Sequence, residues 1–392
     1  MEDNRITAVL GIYNSLERTK KFLEDFKTRF PAIPLSVSTV GSSQEVQDEL
    51  KKLYPGEIVT GTTERVSYST TWNAAIKNVK TERFVFLHND MYIHDSFFSV
   101  LDRAVKDPNI FYLYTTVEPF KNEGFPRTGK IIARWGEDLD SFNLEAFNSF
   151  VAKKLSNPKV VEKRGLGIYL AGFTKSIFDV GGFDQDTFNK AFCEDDDLQL
   201  RALLKGYNFQ TCTNAVVYHF ASKTSREVKD LDGADWEMNI KFAKKWGIEA
   251  RYVDASGIVN APESERSVGK ETIGLRLNSL TPDLESSLFG LGILVSKIEF
   301  RNPEHQKYLE EHYPDCCGSV DSCDIVLTEQ GDTSFSEIAF LIGDLKVNHK
   351  HLKPGHIDAS RFRGNLGITV NRVCPDVCVE DTKNYLFLYE TE

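Results

Sequence analysis

The segment Phe84-Val85-Phe86-Leu87-His88-Asn89-Asp90-Met91-Tyr92-Ile93-His94-Asp95 sets an apolar run directly against imidazole, amide and carboxylate side chains. Residues 84–87 have the aromatic and aliphatic make-up of a buried parallel strand, and ligands of open α/β sheets gather at the carboxyl ends of such strands. Asp90 is therefore expected at the rim of a cleft. A hard divalent cation takes oxygen ligands and fills its other positions with water and substrate phosphates, so one or two protein carboxylates suffice. A strand followed by a polar turn would account for the same residues without a metal.

About a hundred residues later, Cys193-Glu194-Asp195-Asp196-Asp197 places four consecutive carboxylates at the start of a helical pattern. The positive end of a helix dipole favours one or two acids there, by about 0.3–1 kcal/mol each, and hardly four. A metal, a sugar hydroxyl or Arg201 must share the compensation. Leu198, Leu200, Ala202, Leu203 and Leu204 assign the rest of the helix to core packing, and Gly206 ends it. An acidic N-capping cluster is the plain structural alternative.

The elements that would position these residues follow in order. Residues 6–14, Ile-Thr-Ala-Val-Leu-Gly-Ile-Tyr-Asn, read as a first strand, residues 16–30 as a helix, and Ser69-Thr70-Thr71-Trp72-Asn73-Ala74-Ala75-Ile76 as a helix leading into the strand before Asp90. Val217-Tyr218-His219, then Ser222 and Thr224, then Phe242-Ala243-Lys244-Lys245-Trp246-Gly247 close the series. Together these motifs resemble the family 2 glycosyltransferases of the GT-A fold, over about residues 5–250. His88-Asn89-Asp90 stands where that family carries Asp-x-Asp, and Glu194-Asp195 where it carries an acidic pair before a Leu-x-x-Arg helix. The resemblance implies an α/β, Rossmann-like, mostly parallel mixed sheet between helices.

It also implies transfer of a sugar from a nucleoside diphosphate, UDP-type by family frequency, to a carbohydrate-type acceptor hydroxyl. Charge on the departing diphosphate would be stabilised by Mn or Mg held at Asp90, with His219 as second ligand because neutral imidazole suits manganese-like ions. Asp195 is the expected general base, with Glu194 beside it to raise one pKa of the pair; one base and no positioned nucleophile suit inversion. Tyr13, Asn14, Ser42, Trp72, Asn73, His88, Asn89, Gly172 and Gly182 are the expected donor-binding positions. His94 and Asp95 read as turn residues, and Asp196 and Asp197 as capping or solvent-facing. The family's Asp after the second strand is missing, since Gly41-Ser42-Ser43 stands there, so Ser42 or Ser43 would have to hold the base. Glu64, Arg65 and Tyr68 are further candidates for that pocket. Two other readings are a catalytically weak nucleotide-sugar or glycan binder, in view of His88, and a glycosyltransferase of modified DNA bases.

With 392 residues, 41% hydrophobic and 27% charged, the chain has room for more than one domain. Its net charge of −11 opposes duplex nucleic-acid binding through phosphates. No apolar run reaches membrane-spanning length and the N-terminus has no signal-peptide pattern, which predicts a cytoplasmic protein without an integral membrane segment. The domains are read as 1–255, a glycosyltransferase domain; 256–284, a connector; and 285–392, a small α/β accessory domain expected to serve acceptor recognition or self-association into a homo-oligomer. Within the last, the pattern predicts an apolar segment over 288–300, a helix over 303–312, a strand over 323–328, a helix over 334–352 and strands near 366–370 and 385–389. The stretch from Asp324 to His356 is similar to the latter half of a class I methyltransferase, but the glycine-rich cofactor loop is absent. Cys316, Cys317, Cys323, Cys374 and Cys378 fit zinc spacings badly and are read chiefly as reduced thiols. His349, His351 and His356 are expected on an exposed loop.

Overall fold

The computed structural model describes residues 5–119, 129–156, 161–163, 168–220, 234–252, 258–357 and 365–374. They form two compact units, one up to Asp235 and one from Trp236, each with its own sheet.

The first unit runs β1 (Ile6–Gly11), α1 (Leu16–Arg29), β2 (Leu35–Ser38), α2 (Gln44–Leu53), β3 (Ile58–Val59), α3 (Tyr68–Lys77), β4 (Arg83–Phe86), β5 (Met91–Ile93), α4 (Phe97–Ala104), β6 (Ile110–Glu118), β7 (Lys130–Ile132), α5 (Leu144–Leu155), β8 (Val161–Lys163), β9 (Leu170–Phe173), α6 (Thr174–Val180), α7 (Glu194–Leu204) and β10 (Asn208–His219). Local chemistry explains several boundaries. Helix α1 buries Thr19, Phe22, Leu23 and Phe26, a stripe at helical spacing. Ser43 and Ser67 cap α2 and α3 by accepting from the Val46 and Thr70 N–H groups.

Strand order is β3-β2-β1-β4-β9-β6-β10-β5, with β7 beside β6 and β8 beside β10. β1 is parallel to β2 and β4. β9 is antiparallel to both β4 and β6, and β10 is parallel to β6. The carboxyl ends of β1, β2, β4, β6 and β10 therefore point the same way along the sheet. This is the mostly parallel, mixed α/β architecture expected from the sequence.

The second unit opens within α8 (Ala234–Trp246) and continues with β11 (Ile273–Leu277), α9 (Pro282–Leu294), β12 (Lys297–Phe300), α10 (Pro303–His312), β13 (Ile325–Glu329), α11 (Phe335–Val347), β14 (Gly355–Ile357) and β15 (Leu366–Val370). Its sheet order is β12-β11-β13-β15-β14. Strand β11 lies inside the stretch read as a connector, where Gly274 disguises it. That glycine serves packing: a Cβ there would stand 2.6 Å from Val320 Cβ and 3.1 Å from Cys323 Sγ. Gly290 and Gly292 likewise sit on α9, against Phe335 and Cys316. Expected strand 385–389 and Cys378 lie outside the described residues.

His349 departs from its expected exposure. It is 1% exposed, with Nε2 2.8 Å from Ser267 Oγ and Nδ1 3.2 Å from Glu271 Oε1. It opens the one-turn helix His349–His351 just after the buried end of α11, with its side chain inward, whereas His351 remains outside. The described cysteines are free thiols, and Cys374 Sγ lies 3.5 Å from Asp324 Oδ2.

Asp324 is the electrostatic tie of this sheet. Its carboxylate accepts from Thr272 N–H at 2.9 Å and Thr272 Oγ1 at 2.8 Å and pairs with Arg372 at 2.7 Å. Burial alone would raise its pKa, but these partners hold it at about 2 against an ordinary 3.8. The folded pKa is depressed, so its stabilisation is complete above 3.8 and is lost as pH falls through about 2. Asp324→Asn is expected to flatten the acid limb of stability in that interval, read from denaturant midpoints at a series of pH values. Gly172→Ala on β9 would bring a Cβ to 2.9 Å from the Phe111 ring; a loss of about 1–3 kcal/mol is expected in the same denaturation assay.

Candidate functional site

After β4 the chain turns through His88, Asn89 and Asp90 and returns as β5 alongside β10, with Met91 opposite His219. That register draws Asp90 to the end of β10. His219 Nε2 lies 3.2 Å from Asp90 Oδ1, and the Phe220 N–H donates to the Asp90 carbonyl at 2.8 Å. His88, Asp90 and His219 each bring a ligand atom within 4.8 Å of the others, a geometry able to hold a metal ion.

The parallel neighbour β6 ends in Glu118, whose Oε1 lies 3.2 Å from His219 Nδ1. Tyr169 donates its hydroxyl to Glu118 at 3.1 Å, and Lys130 Nζ is 3.2 Å from Glu118 Oε2. Burial disfavours the His219 imidazolium, but Asp90 and Glu118 outweigh it and raise its pKa to about 10. Burial also pushes Glu118 up, and His219 with Lys130 overcomes it, to about 2. Without an ion, His219 is thus a cation between two carboxylates. The same geometry serves a metal equally well, because a neutral His219 would donate Nδ1–H to Glu118 and offer Nε2 as a ligand, the usual carboxylate–histidine–metal pattern.

His88 supplies the independent test of fit. Burial foremost, then the charge of His219, lowers its pKa to about 4, so the ring is neutral near pH 7. Its Nδ1 lies 3.3 Å from the Tyr68 hydroxyl, while its buried Nε2 has no hydrogen-bond partner. An unsatisfied buried nitrogen beside Asp90 and His219 fits a cation, and two imidazoles with one carboxylate suit a first-row transition ion. Trp72 is fully buried beneath this group, edge-on to Phe86 at 4.6 Å and 5.6 Å from the His88 ring.

The acidic helix α7 is entered through two consecutive left-handed residues, Phe192 (φ 82°) and Cys193 (φ 63°). Neither is glycine, so the turn is strained and held by its surroundings. It buries Glu194 and leaves Asp195 and Asp196 partly exposed. Burial, reinforced by the charge of Asp195, raises the Glu194 pKa well above the usual range. Glu194 is therefore the carboxyl whose ionisation its surroundings disfavour.

Asp197 corrects its expected capping or solvent-facing place. It is fully buried and pairs with Arg201 Nε at 2.8 Å. Arg201 also donates to the Val180 and Gly182 carbonyls at 2.7 and 2.6 Å. Asn73 grips the other side of this turn. Its Oδ1 accepts from Phe183 N–H at 2.9 Å, and its Nδ2 donates to the Phe183 carbonyl and to Gln185 Oε1, both at 2.9 Å. Gly181 and Gly182 adopt φ of 90° and 73°, which a side chain would oppose. Asn73 and Gly182 thus shape the loop.

The remaining expected positions divide. Tyr13 lies under the Arg65 guanidinium at 5.3 Å. Asn14, with φ of 53°, donates its N–H to Ser42 Oγ at 3.0 Å and accepts from Ser43 N–H at 2.9 Å. Ser42 is fully buried and donates to the Ile12 carbonyl at 3.2 Å, so its hydroxyl joins the ends of β1 and β2. Asn89 donates to Thr19 Oγ1 on α1 at 2.9 Å. Gly172 packs on Phe111 in the sheet. His94 bonds Ser96 locally at 2.8 Å and Asp95 pairs with Arg29. Ser222 and Thr224 lie outside the described residues. Sequence reasoning missed Glu118, although an acid ending the run 110–117 repeats the signal that singled out Asp90.

No family model and no curated protein matches the chain. Among solved structures it is similar to GalNAc-T7, described with UDP, GalNAc and Mn2+, at 13% identity and TM-score 0.42, covering 63% of this chain and 51% of that one. It is also similar to residues 1–349 of S. aureus TarS at 15% identity and TM-score 0.40, covering 65% of this chain and 69% of that one. The chain thus spans about half of the GalNAc-T7 structure. Among the described residues no helix is long and apolar enough to cross a membrane.

Arg201→Met would strand a buried carboxylate and two carbonyls. A loss of about 3–5 kcal/mol is expected from chemical denaturation, and pairing it with Asp197→Leu should restore part of that loss.

Proposed function

We propose that this chain is a metal-dependent, inverting glycosyltransferase similar to family 2, using a nucleoside-diphosphate sugar, UDP-type by preference, and an acceptor hydroxyl on a carbohydrate. The observation that carries the reading is the His88, Asp90 and His219 cluster at the carboxyl ends of parallel strands. A divalent cation bound by these residues would stabilise charge developing on the departing diphosphate.

The chain's own groups do the rest. Glu118 holds His219 in place through Nδ1. Asp195 accepts the proton of the attacking hydroxyl, with Glu194, whose ionisation burial disfavours, beside it. Asn73 and Arg201 keep the glycine turn at 181–182 in the shape needed to seat a sugar. With one proton acceptor and no separate nucleophile, direct displacement inverts the anomeric centre.

Thermal unfolding with UDP, GDP and other nucleotides, with and without Mn2+, tests this reading on the wild type and Asp90→Ala. A ligand at 100 times its Kd stabilises by about 2.7 kcal/mol. A metal-dependent rise for one nucleotide, abolished by Asp90→Ala, is expected; no rise with any nucleotide would refute the assignment. With the donor known, Asp195→Asn should lower turnover about 100-fold or more while keeping the nucleotide-dependent rise.

A further inference from the structure

Tyr68 stands at the first position of α3 with its ring 5.7 Å from Trp72 and 6.4 Å from His88. Its hydroxyl is 3.3 Å from His88 Nδ1. The two nitrogens of a neutral imidazole cannot both be acceptors, and the partner of one decides the role of the other. If Tyr68 donates to Nδ1, then Nε2 carries the hydrogen and is useless to a cation. If Nδ1–H donates to the Tyr68 oxygen, then Nε2 presents a lone pair toward Asp90 and His219.

One observation favours the second state when a cation is present. His88 Nε2 is buried with no hydrogen-bond partner, so an N–H there would be wasted, whereas a lone pair could ligate beside Asp90 and His219. The Tyr68 hydroxyl, 3.3 Å from Nδ1, has an oxygen able to accept from Nδ1–H.

We propose that Tyr68 is a positioning residue that orients His88 as a third protein ligand, and that the resulting two-nitrogen, one-oxygen set selects Mn2+ or Co2+ over Mg2+. Hard Mg2+ prefers oxygen and retains water, while imidazole nitrogen favours first-row transition ions. The cation preference is thereby assigned to the residue that stands at the motif's first position. The inference rests on the metal-dependent reading above but has its own point of failure.

The test is calorimetric titration of the metal-free full chain with MnCl2, CoCl2 and MgCl2, with visible absorption of the Co2+ form. Wild type, His88→Gln and Tyr68→Phe are compared, and metal-free unfolding midpoints separate folding from binding. Wild type should bind Mn2+ and Co2+ well ahead of Mg2+. Tyr68→Phe keeps the ring packing and should lose about tenfold in Mn2+ affinity, the usual cost of removing an outer-shell partner. His88→Gln should lose more for Mn2+, change the Co2+ spectrum and leave Mg2+ nearly unchanged. Wild-type Mn2+ over Mg2+ preference in a folded His88→Gln would overturn the inference while leaving metal-dependent transfer standing. Absence of any cation binding to wild type would overturn both.

Discussion

An imidazole held between two carboxylates organises this molecule's chemistry. His219 faces Asp90 through one nitrogen and Glu118 through the other, each at 3.2 Å, and all three are nearly closed to solvent. Burying one of these charges alone would be costly. Each is tolerable because the partner lies within hydrogen-bond reach, and the three come from the ends of different parallel or adjoining strands. Sheet register is thus the requirement: the β5–β10 pairing seats Asp90 against His219, and the β6–β10 pairing seats Glu118 on its other side.

The acidic helix obeys the same rule with different solutions. Asp197 meets Arg201 in a fully buried pair, Glu194 has its pKa pushed up by burial, and Asp195 and Asp196 reach partial exposure. Four adjacent acids coexist because their environments drive them apart in protonation and solvation. Phe192 and Cys193 lead into this helix in the left-handed region, so its acidic first turn is entered through strained backbone. Strained backbone next to titratable groups is a usual companion of function.

Several residues with a reactive appearance serve as scaffold. Asn73 spends its amide on the backbone of Phe183, Ser42 on the junction of β1 and β2, and Asn89 on Thr19. Each still bears on the site, because it fixes a loop at the carboxyl edge of the sheet. In the second unit, Gly274 and His349 show the same disguise: a glycine that reads as linker is a packing necessity, and a histidine in a basic stretch is buried against Glu271 and Ser267.

Sequence by itself determined the α/β class, most elements of the first sheet and the two polar clusters, because strand and helix periodicities and abrupt apolar-to-acidic boundaries are local properties. It singled out Asp90 for that reason, His219 through the resemblance to family 2 glycosyltransferases, and Asp195 through that resemblance together with its place in a run of acids. Glu118 remained invisible although it ends a strand in the same manner, for nothing along the chain states that β6 and β10 are neighbours. The raised pKa of Glu194, the pairing of Asp197 with Arg201 and the unpartnered nitrogen of His88 were likewise decided by tertiary structure. Charge, hydrogen-bonding and burial depend on which groups meet across the sheet, and that distance is written in register and packing rather than in sequence spacing.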